Sequence, residues 1–256
     1  MNKVRLLLVM FFVLFLASVA FAGPSISEPT AEKGRFSLGV GYFYYSGKWT
    51  SDNAGWQEVR FISNQPYVQA SYGLKNMEIY FRIGTADLKI NNAFASGSGI
   101  SGFKNDFSDK MKPFVSAGVK GIFNITPSLG VSPFLQASLY SSYKDSTSGT
   151  FFGFPATEEI EVKSPREINL GAALQSKVRG VNLFAGPIVS FTGTTVEGKL
   201  IVPGVGTATS SATYHEKTVF GGIAGLQVPI LKKLALEIQG QMKSEFSVGA
   251  SVAYLF

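Results

Sequence analysis

The sequence predicts an all-β protein, an antiparallel up-and-down β-barrel that crosses a membrane with about ten strands. Apolar residues alternate with polar or small residues along most of the chain, and this period of two is typical of strands rather than amphipathic helices. Most alternating segments reach the ~9–11 residues that a tilted strand needs to cross a bilayer, whereas globular strands average about 5–6. Short and long connections also alternate, as in barrels that turn on one side of a membrane and loop on the other.

The first 22 residues have the three-part organisation of a secretory signal peptide. Lys3 and Arg5 form a positive start, an apolar run follows, and Ala20-Phe21-Ala22 ends it with a small-x-small pattern. A single-span anchor is the alternative, because the run is nearly as long as the shortest spans, but no positive charge follows closely to hold a span in place. We expect a signal peptide over 1–22 that directs export through the Sec pathway, a flexible periplasmic leader over 23–34 and the barrel domain over 35–256.

Ten segments of the mature chain alternate in this way. In the first, Phe36, Leu38 and Val40 share one face while Ser37 and Gly39 share the other, so one face is apolar and the other is small. The ten predicted strands are 35–45, 66–74, 77–84, 112–124, 129–143, 167–177, 181–195, 217–230, 234–243 and 245–256.

The connections between these strands sort by length. Tight turns are predicted at 75–76, 126–127, 179–180 and 231–233, and long polar loops at about 47–65, 91–111, 144–165 and 198–213. Every backbone N–H and C=O in hydrocarbon must be paired within the protein, so a sheet spans a membrane only by closing on itself. An even strand number brings both termini to the periplasmic side. Ten strands fit, and eight or twelve would follow from one misassigned hairpin.

Composition excludes several other classes. The formal charge is +6, but no cluster of Lys and Arg accompanies it, so we expect no nucleic-acid partner. The chain has no cysteine, which excludes a disulfide-stapled secreted domain. No metal-binding or phosphate-binding motif is present, and we therefore expect no cofactor and no metal.

Charged and amide side chains recur on the face opposite the apolar one. A Lys or Arg facing lipid at the bilayer midplane costs about 2–4 kcal/mol, so these residues are expected to point into the lumen and pair there. They form either a hydrogen-bonded plug, which we favour because barrels of about eight strands are filled by their own side chains, or the lining of a narrow pore. The predicted lumen residues are Glu78, Arg82, Lys120, Glu167, Gln175, Gln227, Glu237, Gln239, Gln241 and Lys243.

Aromatic residues are the candidates for girdles at the two membrane interfaces. Tyr80 and Tyr140 share parity with polar residues, which indicates an inward orientation instead. The other candidates are Tyr42, Tyr44, Trp49, Trp56, Tyr72, Tyr143 and Tyr254.

The single histidine, His215, is the one weak candidate for a catalytic residue. Adjacent side chains of a strand point to opposite faces, so His215 and Glu216 are poorly placed to act as a base and its orienting partner. No catalytic spacing links His215 to Asp87 or Asp145. We expect a solvated rim histidine and no enzyme activity; the alternative is an outer-membrane hydrolase, a protease or lipid A-modifying enzyme, that uses His215.

The last strand carries a recognisable pattern. Val248, Ala250, Val252, Tyr254 and Phe256 share one face and end the chain on an aromatic residue. This pattern resembles the C-terminal assembly signal of bacterial outer-membrane barrels, and the whole chain resembles the small opacity-type and OmpA-type barrels. The resemblance implies recognition by the barrel-assembly machinery and a place in a Gram-negative outer membrane, among lipid and lipopolysaccharide. We expect a structural or surface-interacting role with an unidentified surface ligand; the alternative is a porin-like, narrow passive channel for small solutes.

Overall fold

The computed structural model describes residues 31, 33–51, 53 and 57–256. The predicted signal peptide and most of the leader lie outside the described residues, as does Trp56. No helix among these described residues is long and apolar enough to cross a membrane. The described strands are β1 (Phe36–Ser51), β2 (Val59–Gly73), β3 (Met77–Ile90), β4 (Ile100–Ser101), β5 (Phe107–Gly121), β6 (Phe123–Thr126), β7 (Leu129–Tyr140), β8 (Tyr143–Phe151), β9 (Phe154–Val178), β10 (Val181–Val202), β11 (Gly206–Glu216), β12 (Phe220–Leu231), β13 (Leu234–Met242) and β14 (Phe246–Leu255).

Ten of these strands form a closed antiparallel ring. Its order is β1-β2-β3-β5-β7-β9-β10-β12-β13-β14, and β14 pairs with β1 from Ser37↔Leu255 to Tyr44↔Val248. Each ring strand neighbours the ring strands that precede and follow it in the chain, which is the up-and-down topology. The fold class predicted from the sequence, with its ten strands, is confirmed.

The outside of the ring is an apolar belt. On β1 the outward residues run from Phe36 to Tyr44, and on β3 from Met77 to Ile83, with their neighbours turned inward. Eight residue steps cover about 27 Å along a strand, or about 21 Å across a membrane at a tilt of ~40°. Large apolar side chains such as Ile83 are exposed on this surface, whereas soluble proteins rarely expose contiguous apolar patches of this size.

Above the belt, three of the predicted polar loops are largely β-hairpins. The segment predicted as the loop 47–65 contains the end of β1 and the start of β2, which pair as far as Trp49↔Val59. The segment predicted as the loop 144–165 is β8 and the start of β9, which pair around Phe152 and Gly153. The segment predicted as the loop 198–213 belongs to the hairpin of β10 and β11. β9 has 25 residues, about 80 Å of strand, so the wall continues well beyond the belt. We call this end the outer end and the end with the tight turns the inner end.

The girdle prediction is partly wrong. Tyr42, Tyr44, Tyr72 and Tyr254 share parity with the outward residues of their strands, but Trp49 and Tyr143 are buried inside the barrel. Both lie above the belt, where the polarity of the wall is reversed. Tyr80 and Tyr140 point inward, as their parity indicated: each donates its hydroxyl to an interior glutamine, Gln136 and Gln65 respectively.

Candidate functional site

The structure places the ten predicted lumen residues inside the ring. Nine are buried, Glu167 is half-buried, and the charged ones gather at different depths. The buried set is Glu78, Arg82, Lys120, Gln175, Gln227, Glu237, Gln239, Gln241 and Lys243.

The innermost charged group is an ion pair between β3 and β5. Lys120 Nζ lies 3.6 Å from Glu78 Oε1, and both side chains are fully buried. The other oxygen, Glu78 Oε2, accepts the backbone N–H of Ala31 at 2.8 Å. Two neighbours in the leader support this contact, because Lys33 bridges to Gly73 and Gly34 N donates to Gly73 O. The described part of the leader therefore lies against the inner end of the barrel.

The middle of the lumen is occupied by the guanidinium of Arg82. Arg82 Nε donates to Gln69 Oε1 at 2.7 Å, and a terminal nitrogen donates to Gln136 Oε1 at 3.1 Å. Its carbon Cζ lies 4.4 Å from the ring centroid of Tyr67 and 5.0 Å from that of Tyr80. Amide oxygens and ring faces both favour a cation, so the charge at this depth is held by groups from β2, β3 and β7.

A third charged group lies nearer the outer end. Lys243 Nζ lies 2.7 Å from Glu216 Oε2 and 3.2 Å from Glu167 Oε1, and it donates to Ser190 Oγ at 3.2 Å. Glu216 also accepts the hydroxyl of Ser244 at 3.0 Å. Glu216 is absent from the predicted lumen set. The sequence signal for its inward orientation is that Glu216 and its neighbour His215 must point to opposite faces of β11.

Apart from carboxylate oxygens in ion pairs, three buried polar atoms in the lumen have no hydrogen-bond partner among the described residues. They are Ser132 Oγ, Gln239 Oε1 and Gln241 Nε2. Buried polar groups without a protein partner are commonly satisfied by ordered water, so these atoms are the places in the lumen where water would bind.

Above the third charged group the interior becomes apolar. The indole of Trp49 stacks on Phe61 with ring centroids 4.6 Å apart, and its Nε1 donates to Tyr45 Oη at 2.7 Å. Farther out, a cavity of about 480 Å³ lies between the hairpins. We call this cavity the outer chamber. Its buried apolar lining residues are Phe61, Ile90, Phe94, Ile160, Val196 and Tyr214.

The charged side chain that lines the outer chamber is Glu158 of β9. Its Oε2 accepts the backbone N–H of Ala95 at 2.8 Å. Burial raises the pKa of Glu158 above its ordinary value, and the Ala95 hydrogen bond opposes that shift. Since Glu158 lies beyond the apolar belt, its carboxyl faces an aqueous chamber rather than the membrane.

Two smaller cavities lie deeper in the barrel than the outer chamber. Below the outer chamber, a cavity beside Trp49 and Tyr143 holds about 50 Å³. Next to Arg82 and Gln136, a third cavity holds about 10 Å³. A cavity needs about 10–15 Å³ to hold one water molecule, so protein atoms fill nearly all of the space beside Arg82.

His215 lies on the outer part of the wall. It pairs with Thr50 of β1 and stands between Tyr214 and Glu216, which are both buried inside, so its own parity is outward. The described chain contains no group of three or more His, Cys, Asp or Glu residues that could hold a metal ion. Glu216 and His215 thus point to opposite faces of β11.

Val248, Ala250, Val252 and Tyr254 of the predicted assembly signal lie on the outward face of β14, and Phe256 directly follows the strand. Their strand pairs with β1 on one side and with β13 on the other, from Leu234↔Tyr254 to Met242↔Phe246. Phe256 N donates to Phe36 O at 3.1 Å, which ties the chain end to the first strand. The closing seam of the barrel is thus built from the segment predicted to serve as an assembly address.

A closed ring of antiparallel strands with an apolar exterior and a charged interior defines the class of fold: a transmembrane up-and-down β-barrel, the architecture of small outer-membrane barrels. Neither a protein-family model nor a curated protein matches the chain. Among solved structures, the chain is similar to the outer membrane protease OmpT from Escherichia coli, with a TM-score of 0.49 and 10% identity over 87% of this chain and 97% of that one.

Two further solved structures are similar to a lower degree. The translocator domain of the autotransporter NalP from Neisseria meningitidis gives a TM-score of 0.47 and 12% identity over 88% of this chain and 89% of that one. The attachment invasion locus protein Ail of Yersinia pestis gives a TM-score of 0.26 and 11% identity over 88% of this chain and 99% of that one. A protease, a translocator and an attachment protein have different functions, so these likenesses assign no activity to this chain.

Proposed function

We propose that this chain is a closed, non-enzymatic outer-membrane barrel that acts as a structural or surface-interacting protein. The observation that carries the proposal is the small size of the cavity beside Arg82, about 10 Å³, compared with about 480 Å³ in the outer chamber. The guanidinium of Arg82 and its partners occupy the middle of the lumen, and the buried Glu78–Lys120 pair lies toward the inner end.

The small residues of the lumen support closure rather than a leak. A Cβ atom at Gly118 would lie 2.4 Å from Cζ of Tyr80, and one at Gly41 would lie 2.6 Å from Cζ of Tyr67. Each glycine pairs directly with that tyrosine on the neighbouring strand, so it makes room for an aromatic ring that lies against the inner wall, and the space it leaves is already occupied.

A surface role is supported by the tips of the outer hairpins. Phe152 and Phe154 are exposed at the tip of the β8–β9 hairpin, and Val205 at the tip of the β10–β11 hairpin. These side chains lie beyond the apolar belt, where no lipid covers them, and exposed apolar groups at such a position are typical of interaction sites. The belt itself would contact lipid and lipopolysaccharide, and β14 would be read by the barrel-assembly machinery after Sec export.

Conductance in planar lipid bilayers tests closure. The wild-type protein is expected to give no stable open current, and an Arg82→Ser variant is expected to conduct because it removes the guanidinium that fills the lumen. The variant also shows that silence of the wild type is not a failure of insertion. A stable open current from the wild type would favour the alternative, a narrow channel for small solutes, which the unpartnered atoms of Ser132, Gln239 and Gln241 support.

The hydrolase alternative has its own test. A His215→Ala variant is expected to leave lipid A unchanged and to show the same absence of peptidase activity as the wild type. An activity present in the wild type and lost in this variant would reverse the non-enzymatic part of the proposal.

A further inference from the structure

We infer that the outer chamber is a binding site for a small organic cation, an ammonium group attached to an apolar body. The inference goes beyond the closed barrel proposed above, because a barrel can be closed with or without a ligand. It rests on three features of the chamber: one carboxylate, aromatic walls and sufficient open space.

The charge of the chamber favours a cation. Glu158 faces the cavity with one oxygen bound to Ala95 N–H. Deeper in the barrel, the buried amine of Lys243 is already shared by Glu167 and Glu216. Of these four interior groups, three are carboxylates and one is an amine, so their combined electric field attracts an entering cation.

Aromatic rings supply the second component of a cation site. Phe61, Phe94 and Tyr214 all line the chamber, and the rings of Phe61 and Tyr214 lie 6.4 Å apart, centroid to centroid. Lys104 Nζ lies 5.1 Å from the Phe94 centroid, so one face of this ring already receives a positive charge. Aromatic groups combined with an acid are the recurring means of recognising alkylated ammonium ions.

The size and shape of the chamber fit a small molecule. About 480 Å³ falls within the ~300–1,000 Å³ of small-molecule sites. Ile90, Ile160 and Val196 form apolar walls that an alkyl or aryl body would contact. Asn92 and Ser96 are exposed residues of the lining, which places the entrance toward the outer end.

Isothermal titration calorimetry of the full chain in dodecyl maltoside micelles tests the inference with benzyltrimethylammonium as the probe. The wild type is expected to bind this cation at least tenfold more tightly than neutral benzyl alcohol or the anion phenylacetate. Glu158→Gln is expected to weaken cation binding about tenfold, which corresponds to ~1.4 kcal/mol. The introduced amide oxygen still accepts the Ala95 N–H, so the loop contact is retained.

Glu159→Gln is the matched control, because Glu159 is the adjacent residue of β9 on the exposed face. It removes the same charge one residue away and is expected to leave binding unchanged. Phe94→Leu is expected to weaken the cation more than benzyl alcohol. Heat-modifiable gel mobility verifies that each variant is folded.

Three results would overturn the inference: no binding of benzyltrimethylammonium to folded wild type, equal affinity for benzyl alcohol, or equal losses in Glu158→Gln and Glu159→Gln. Failure of the closed-barrel proposal is distinguishable, because it is read from bilayer current and not from calorimetry. A conducting protein that binds the cation would keep this inference and reject closure.

Discussion

Removing Lys120 should reveal how strongly the barrel depends on its innermost ion pair. Lys120 and Glu78 are both fully buried, with Nζ and Oε1 3.6 Å apart. A Lys120→Met variant keeps most of the side-chain volume but leaves the Glu78 carboxylate uncompensated. Breaking a buried pair in this way costs about 3–5 kcal/mol, and we expect a loss of that size in the free energy of unfolding.

The double variant Glu78→Gln with Lys120→Met separates the charge from the packing. The introduced amide oxygen still accepts the Ala31 N–H that Glu78 accepts at 2.8 Å, and neither charge of the pair remains buried. Replacing both members of a buried pair is often close to neutral, so the double variant should lie within about 1 kcal/mol of the wild type.

Urea-induced unfolding from phospholipid vesicles, followed by tryptophan fluorescence, measures these free energies. The control is Lys144→Met, which removes one partner of the Lys144–Glu161 pair, where the side chains are 67% and 29% exposed. An exposed pair contributes about 0–1 kcal/mol. A cost of Lys120→Met no larger than that of Lys144→Met, or a double variant as unstable as the single one, would refute this prediction.

Three further predictions concern the belt, the chain end and the outer surface. Ile83→Lys, at the outer end of the belt on β3, should destabilise the barrel by about 1–2 kcal/mol in urea unfolding, because the cost of a lysine falls from about 2–4 kcal/mol at the midplane to about 0–1 kcal/mol at the interface. Phe256→Ser should reduce the amount of barrel assembled in outer membranes, while the loss of its ring contact with Tyr254 costs the refolded protein about 0.5–1.5 kcal/mol. Burial raises the pKa of Asp109, but hydrogen bonds from Lys112 and from Lys144 N lower it overall. The stability that Asp109 contributes is therefore present above its unfolded pKa near 3.8 and is lost as the pH falls through its lower folded pKa. Asp109→Asn should therefore make the free energy of unfolding less dependent on pH in this acidic range.

Each of these has an outcome that contradicts it. Unchanged stability of Ile83→Lys would place that residue away from lipid. Equal membrane levels of Phe256→Ser and the wild type would remove the assembly role of the chain end. An identical acid dependence in Asp109→Asn would assign the titration to other carboxylates.

The membrane-spanning part of the fold was predictable because a single physical rule governs it. Lipid demands apolar residues on one face, so the parity of Ile79, Phe81 and Ile83 fixes both the strand and its orientation. The same rule predicts from the sequence alone that Glu78 and Arg82 point into the barrel. Those partners, such as Gln69 on the neighbouring strand β2 and Gln136 on β7, depend on strand pairing and register, and alternation within one strand carries no such information.

The hairpin of β8 and β9 was missed for a local reason. Apolar residues occupy even positions both at Ile160 and Val162, which are buried, and at Ile168 and Leu170, which are exposed outside. Between these pairs β9 has one more residue than β10, where the register passes from Gly193↔Arg166 to Thr195↔Lys163. Such a bulge reverses the face of every residue that follows. A constant parity therefore concealed a change from interior to exterior.

On β3 the apolar residues also change from the outer face to the inner face, although the even positions point inward along the whole strand. Outward apolar residues occupy odd positions over 77–83, and inward apolar residues occupy even positions over 86–90. On β1 the outward apolar positions are even over 36–44 and the inward aromatic ones are odd from Tyr45 to Trp49. The switch marks the height at which the solvent outside the wall changes from lipid to water, because water outside favours apolar residues inside. The outer chamber follows from it: a wall that continues past the membrane turns its apolar side chains inward, and where they do not fill the interior they leave an aromatic-lined cavity open to the outside.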